Sequence, residues 1–210
     1  MTTRTKPLTD EWFEQERRGA IQWARVRLAQ AEPDEPENAQ PFVILDTETT
    51  GMGGDAEPVQ ITIIDHTGRP KLNTYIKPGT RIEYGAWEVH GISFSMVRNA
   101  PTFRQALGDL YRVLAGQIVI CYNVEFDRRI IRQTCQKYNL IPPHAAGFEC
   151  AMLQYARFQG TLKKRSREFR WWSLNDACEQ MGIKRDKSHE AGADVLATLR
   201  LMESMALTKT

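Results

Sequence analysis

An apolar run that ends in two carboxylates constrains this chain more than any other stretch. Val43-Ile44-Leu45 reads as a strand buried on both faces, of the kind found in the middle of a sheet covered by helices. Asp46-Thr47-Glu48-Thr49-Thr50-Gly51 follows at the point where that strand emerges. In extended backbone, side chains at i and i+2 point the same way, so Asp46 and Glu48 stand side by side. Their repulsion raises at least one pKa unless a cation lies between them, and a divalent metal ion resolves the conflict.

The remaining chain supplies partners for such a strand. Val59, Ile61, Ile63 and Ile64 form a second strand, His66 to Arg69 a turn, and Leu72 to Lys77 a returning strand, a hairpin beside the first. A helix begins near Phe103, carries Ala106, Leu107, Leu110 and Leu114 on one stripe, and stops at Gly116. Gln117 to Tyr122 is another apolar strand that ends in polar chemistry, Asn123-Val124-Glu125-Phe126-Asp127. The helix that follows puts Phe126, Ile130, Ile131 and Thr134 inward, which places Asp127 in its first turn at a strand exit. A short strand and a helix are expected within Phe148 to Phe158, and a capped helix from Ser173 to Gly182. A last helix from about Glu190 carries Val195, Thr198, Leu201, Met202 and Met205 on one side, with a single acid, Asp194, on that stripe. The loop Gly51 to Asp55 lacks the glycine order and the Lys-Ser/Thr of a phosphate-binding loop and reads as a turn.

Two segments stand outside this core. Residues 9 to 31 form an amphipathic helix with Trp12, Phe13, Ala20, Ile21, Ala24 and Leu28 near one stripe, and Pro33 to Asn38 has the composition of a linker. The expected division is therefore a helix and linker over 1–40 and a domain over 41–207. The helix packs on that domain, on a protein partner or on a second copy of itself. Lys163 to Trp172 is the most basic segment and is interleaved with aromatics, readable as a solvated loop or as a nucleic-acid contact.

Composition narrows the classes. With 210 residues, 41% of them hydrophobic, the chain buries a full core in one domain. A net charge of +2 means that any basic surface is local rather than global. Cys121, Cys135, Cys150 and Cys178 are scattered singly and read as reduced core thiols, neither a disulfide frame nor a zinc site. No apolar run is long enough to span a bilayer and no leader is evident, so a cytoplasmic protein without a membrane contact is expected.

Asp46 with Glu48, Asp127 and Asp194 are acids placed where the core pattern ends or calls for apolar groups. If the two strands are sheet neighbours and the last helix crosses them, these carboxylates converge. Oxygen ligands without cysteine or paired histidine suit hard cations such as Mg²⁺ or Mn²⁺. His189, five residues before Asp194, titrates in the range needed to take a proton from water.

Asp46-Thr47-Glu48-Thr49-Thr50-Gly51, Asn123-x-x-Phe126-Asp127 and His189-x-Ala191-x-x-Asp194 resemble, in order, the three exonuclease motifs of the DEDD superfamily. The third resembles the histidine-containing branch that includes ribonuclease T and the proofreading subunit of bacterial replicative DNA polymerase. Val89-His90-Gly91-Ile92 is similar to the same family's His-Gly-Ile segment, and the resemblance covers about Phe42 to Leu207. It implies a ribonuclease H-like α/β fold: a mixed five-stranded sheet flanked by helices, here with an extra N-terminal helix. It also implies 3′-to-5′ hydrolysis of nucleic acid to nucleoside 5′-monophosphates with two divalent cations. On that basis Asp46, Glu48, Asp127 and Asp194 bind the metals, Asp46 bridging both and Glu48 nearest the attacking water, and His189 is the general base. Thr47, Thr49, His90, Asn123 and Phe126 approach the terminal nucleotide. The partners implied are the 3′ ends of single-stranded DNA or RNA, since splaying an end costs least when it is unpaired. The rival expectation is a catalytically degenerate exonuclease fold that only binds nucleic acid or recruits a protein.

Overall fold

A computed structural model describes residues 9–31, 40–185 and 192–209. The linker expected at Pro33 to Asn38 lies outside these residues, as does His189. Five strands form one mixed sheet: β1 (Phe42–Thr49), β2 (Pro58–Asp65), β3 (Pro70–Tyr75), β4 (Ile118–Cys121) and β5 (Gly147–Cys150), in the spatial order β3-β2-β1-β4-β5. The pairs β1–β2 and β2–β3 are antiparallel, and β1–β4 and β4–β5 are parallel. The central place of β1 explains its composition, because helices cover both faces of the sheet.

Alternation along β1 sorts its side chains between two cores. Val43 and Leu45 join Ile61, Ile63, Val119 and Cys121 beneath α4 (Phe103–Leu114) and α5 (Val124–Lys137). Phe42 and Ile44 point the other way, with Ile64 and Ile120, toward α8 (Ala193–Leu207) and its Val195, Leu199 and Met202. The same parity sends Asp46 and Glu48 toward the α8 side and Thr47 toward α5. A bulge between Glu48 and Thr49, opposite Pro58 at the start of β2, ends regular pairing at the point where charge appears.

The helix α1 (Asp10–Ala31) belongs to this body. Ala20, Ile21 and Ala24 are fully buried with Tyr155 and Phe158 of α6 (Ala151–Gln159) and with Ala197 and Leu201 of α8. Arg25 donates to the carbonyls of Ala206 and Thr208, and Trp23 and Arg27 both donate to Glu149 on β5. The apolar stripe read from the sequence is thus spent inside the chain. The expected strands and long helices are present, with boundaries moved by a few residues. Two short helices, α2 (Tyr84–His90) and α3 (Phe94–Val97), stand where the sequence was read only as a motif. The capped helix is α7 (Leu174–Gln180), and Ser173 Oγ accepts from the amide of Asp176.

Candidate active site

The acids meet at the open ends of β1 and β4. Asp46 and Glu48 leave β1 toward α8, where Asp194 stands in the first turn. Asp127 stands in the first turn of α5, directly after β4. Its Oδ1 accepts from the Thr47 amide at 3.0 Å and from Thr47 Oγ1 at 2.8 Å, so the residue between the two β1 acids fixes the third.

Crowding shows in the proton affinities. Burial, then the carboxylates of Asp127, Glu48 and Asp194, push Asp46 well above the usual carboxylate range, with Arg185 pulling it the other way. Burial and Asp194 raise Glu48 to about 7. Burial raises Asp127 to about 7 as well, against the two hydrogen bonds from Thr47. Three carboxyl groups in one cluster, all with raised proton affinity, mark a site that lacks positive charge. Hard, anionic oxygen donors of this kind fit divalent cations such as Mg²⁺ or Mn²⁺. Among the described residues, however, no three acidic, cysteine or histidine side chains close into a ligand shell. The acids take protein donors instead, Asp127 from Thr47 and Asp194 from Arg185.

Arg185 was not legible in the sequence. It follows Lys184 in an unremarkable polar stretch, yet its guanidinium pairs with Asp194 and with Asn175 of α7. The cation that the carboxylates call for is, in this arrangement, a guanidinium.

The expected substrate contacts divide into two groups. Thr47, Thr49 and His90 are buried and spend their polar atoms within the chain. Thr49 Oγ1 donates to the carbonyl of Gly51 at 2.8 Å. His90 Nδ1 accepts from the Ile92 amide at 2.9 Å, which leaves Nε2 to donate to the Thr49 carbonyl at 3.1 Å. Gly91, at φ 70°, permits the reversal that brings the Ile92 amide back to the ring, which is the physical content of His-Gly-Ile here. His90 thereby ties α2 to the exit of β1, and any contact it makes with a substrate is through the ring face. Burial lowers its pKa, against the hydrogen bond to Thr49. Asn123, in contrast, is exposed, and Asn123 and Phe126 line an open cleft beside Asp127.

The mouth of β1 is braced from behind. Thr50 donates its amide to the Glu57 carbonyl at 2.8 Å, and Thr50 Oγ1 accepts from the Glu57 amide at 3.0 Å. Glu57 is 1% exposed, and its side chain accepts from Lys137, Tyr138, Thr80 and the Gly79 amide. The Glu83 carboxylate lies over Gly51, where a Cβ would meet it at 2.4 Å, so a larger residue there displaces that exposed side chain.

Comparisons with known proteins agree with this geometry. The sequence pattern of the Exonuclease family matches residues 43–202. The uncharacterized exonuclease CP81 of Escherichia phage 186 is 36% identical over 170 residues, which cover 78% of this chain and 87% of that protein. The DNA polymerase III epsilon subunit of Buchnera aphidicola subsp. Schizaphis graminum is 33% identical over 106 residues, 46% of each chain. E. coli exonuclease I in complex with a dT13 oligonucleotide shares the fold with a TM-score of 0.64 at 21% identity, over 80% of this chain and 41% of that one. Exonuclease X in complex with 5′-overhanging duplex DNA does so with a TM-score of 0.54 at 20% identity, over 78% of this chain and 90% of that one. This chain thus spans less than half of the polymerase subunit and of exonuclease I. The fold is ribonuclease H-like, and the protein belongs to the Exonuclease family, within the DEDD superfamily of 3′-to-5′ exonucleases.

Proposed function

We propose that this chain hydrolyses single-stranded nucleic acid, DNA in preference to RNA, from the 3′ end and releases nucleoside 5′-monophosphates. The observation that carries the reading is the cluster of Asp46, Glu48, Asp127 and Asp194 at the exits of β1 and β4, where burial and then the neighbouring carboxylates raise the proton affinity of Asp46. These four side chains would hold two divalent ions, Mg²⁺ or Mn²⁺. When bound, such ions supply Lewis acidity toward a phosphodiester and lower the pKa of water. The chain's own part is positional. Thr47 holds Asp127, the Thr50–Glu57 clasp holds the backbone that follows Glu48, and Asn123 and Phe126 border the space that a terminal nucleotide enters. His189, five residues before Asp194, serves as the proton acceptor for the attacking water in this reading.

The bound dT13 of the exonuclease I structure favours single-stranded DNA as the substrate class. The polymerase subunits among the relatives suggest a protein partner. Contact through α1 would use its outer face, because the apolar stripe is buried. No helix among the described residues is long and apolar enough to cross a membrane.

The Arg185–Asp194 pair favours one rival, a degenerate fold that binds without turnover. The test is hydrolysis of 5′-labelled oligonucleotides by the purified chain with Mg²⁺ or Mn²⁺. Stepwise shortening from the 3′ end, lost in Asp46→Ala and in His189→Ala, supports the proposal. Binding without shortening under every metal condition supports the rival, and shortening that survives Asp46→Ala refutes the assigned site.

A further inference from the structure

Helix α5 does more than deliver Asp127. Arg128, Arg129 and Arg132 are exposed along its outer side, and among the described residues none is ion-paired with a carboxylate. They line an open cleft of about 770 Å³ together with Asn123 and Phe126 from the start of α5 and with Trp171, which forms the wall that α5 does not supply. One acid, Glu125, shares the lining. Asn123 and Phe126, which share this lining, stand at the start of α5 with Asp127, so the cleft opens at the same end of the helix as the acid cluster.

The far wall is built. Leu162 and Phe169 form an antiparallel bridge, the Lys163 amide donates to the Glu168 carbonyl at 2.9 Å, and the Arg170 amide donates to the Thr161 carbonyl at 2.7 Å. Phe169 stacks flat on Trp12 of α1 with ring centroids 5.2 Å apart, so the arm is anchored from behind. At its end Trp171 remains 54% exposed, with Lys163 Nζ 4.0 Å from the ring centroid. A large aromatic ring held in water on a braced arm, across from unneutralised guanidinium groups, suits an unpaired base and its phosphates.

We propose that this cleft is the track of the substrate strand 5′ to the scissile end, with Arg128 and Arg132 meeting phosphates and Trp171 stacking an unpaired base. The assignment rests on the exonuclease reading for the position of the 3′ end. It makes the aromatic-basic segment and the outer side of α5 one surface, and it makes the occupant single-stranded, because a paired base offers no free face to Trp171.

Binding in EDTA, with no turnover, tests it on the full chain. The probes are 5′-fluorescein dT12, dT3 and a blunt 12-base-pair duplex, titrated across a range of salt. For dT12, Arg132→Ala is expected to lower the slope of log affinity against log salt by about 0.7, and Arg128→Ala/Arg132→Ala by about 1.4. Trp171→Ala is expected to weaken dT12 roughly 5- to 100-fold. The loss on dT3 is smaller, since a short strand does not fill the track. Lys71→Ala on the outer strand β3 serves as the charge control with an unchanged slope. An unchanged slope in both arginine variants overturns the track. So does an equal loss on the duplex, or the same fall in Lys71→Ala. Arg132→Lys, which keeps the charge at an exposed position, retains the slope if the effect is phosphate contact and loses it if folding is at fault. Failure of the hydrolytic reading is separate: wild type then shows these slopes but shortens no strand when Mg²⁺ is added.

Discussion

Replacing Glu57 by glutamine tests the brace behind the catalytic strand. The carboxylate accepts from Thr80 Oγ1 at 3.0 Å, Lys137 Nζ at 2.6 Å, Tyr138 OH at 2.7 Å and the Gly79 amide at 3.2 Å, two donors to each oxygen. In Glu57→Gln one oxygen becomes an NH₂ group: the hydroxyl facing it turns to accept, the N–H donor beside it, Lys137 or the Gly79 amide, loses its acceptor, and the three bonds that remain lose their charge. One lost bond to a charged group, at about 1.5–3 kcal/mol, and three weakened by about 0.5–1 kcal/mol each sum to about 3–6 kcal/mol. The Lys137 side chain is 35% exposed and regains hydration, which favours the lower end of that range. With a urea dependence of about 2 kcal/mol per molar, a loss of about 3 kcal/mol lowers the unfolding midpoint by about 1.5 M.

The pH dependence checks the cause. Burial alone would raise Glu57, but the bonds from Lys137, Tyr138, Gly79 and Thr80 prevail and its pKa is lowered below the ordinary 4.5. A depressed folded pKa stabilises above the unfolded value and loses that contribution as pH falls through the folded one. The gap between wild type and Glu57→Gln is therefore constant from pH 6 to 9 and closes in acid below about pH 4. Urea unfolding followed by fluorescence at several pH values measures it. A midpoint shift below about 0.5 M at pH 7, or a gap that widens in acid, refutes the reasoning. Because Glu57 clasps Thr50 through its backbone, exonuclease activity should also fall, with the loss reading on the mouth of β1.

Other perturbations probe the site and α1. Asp46, Glu48 and Asp127 all bind protons more tightly folded than unfolded, so metal-free stability should fall as pH rises from about 4 through 7, and saturating Mn²⁺ should remove that slope. Thermal melts with and without Mn²⁺ decide this, and a metal-free melting point that rises over the interval would contradict the cluster. Arg185→Gln should lower metal-free stability at pH 8, by removing the countercharge on Asp194, and should lower the Mn²⁺ concentration for half-maximal stabilisation. An unchanged Mn²⁺ requirement would mean that Arg185 does not compete for Asp194. Ile21→Ala, at a position 1% exposed between α1, α6 and α8, should destabilise the whole domain by roughly 2–4 kcal/mol in a single urea transition. A cost below about 1 kcal/mol would make α1 an appendage after all.

What the sequence determined here is whatever repeats at short range. Val43, Ile44 and Leu45 alternate between two covered faces, and that is visible as an unbroken apolar run because both faces are dry. The i and i+2 spacing of Asp46 and Glu48, the first-turn place of Asp127 and the lone acid on the last helix are likewise local patterns, and the order of the motifs linked them to a family. Tertiary structure decided everything that depends on segments distant in sequence. Thr47 finds Asp127 across 80 positions, and Glu57 finds Tyr138 across 81. Arg185 becomes the counterion of Asp194 because α7 and α8 pack together, and no periodicity in its own stretch announces it. The stripe of α1 was readable as apolar, but its destination on α6 and α8 was not, since amphipathicity states that a face is buried and is silent about the surface that buries it. The paired carboxylates at the end of β1 were legible from the first, while the arginines of α5 and Trp171 became one surface only once the sheet had set α5 opposite the basic arm.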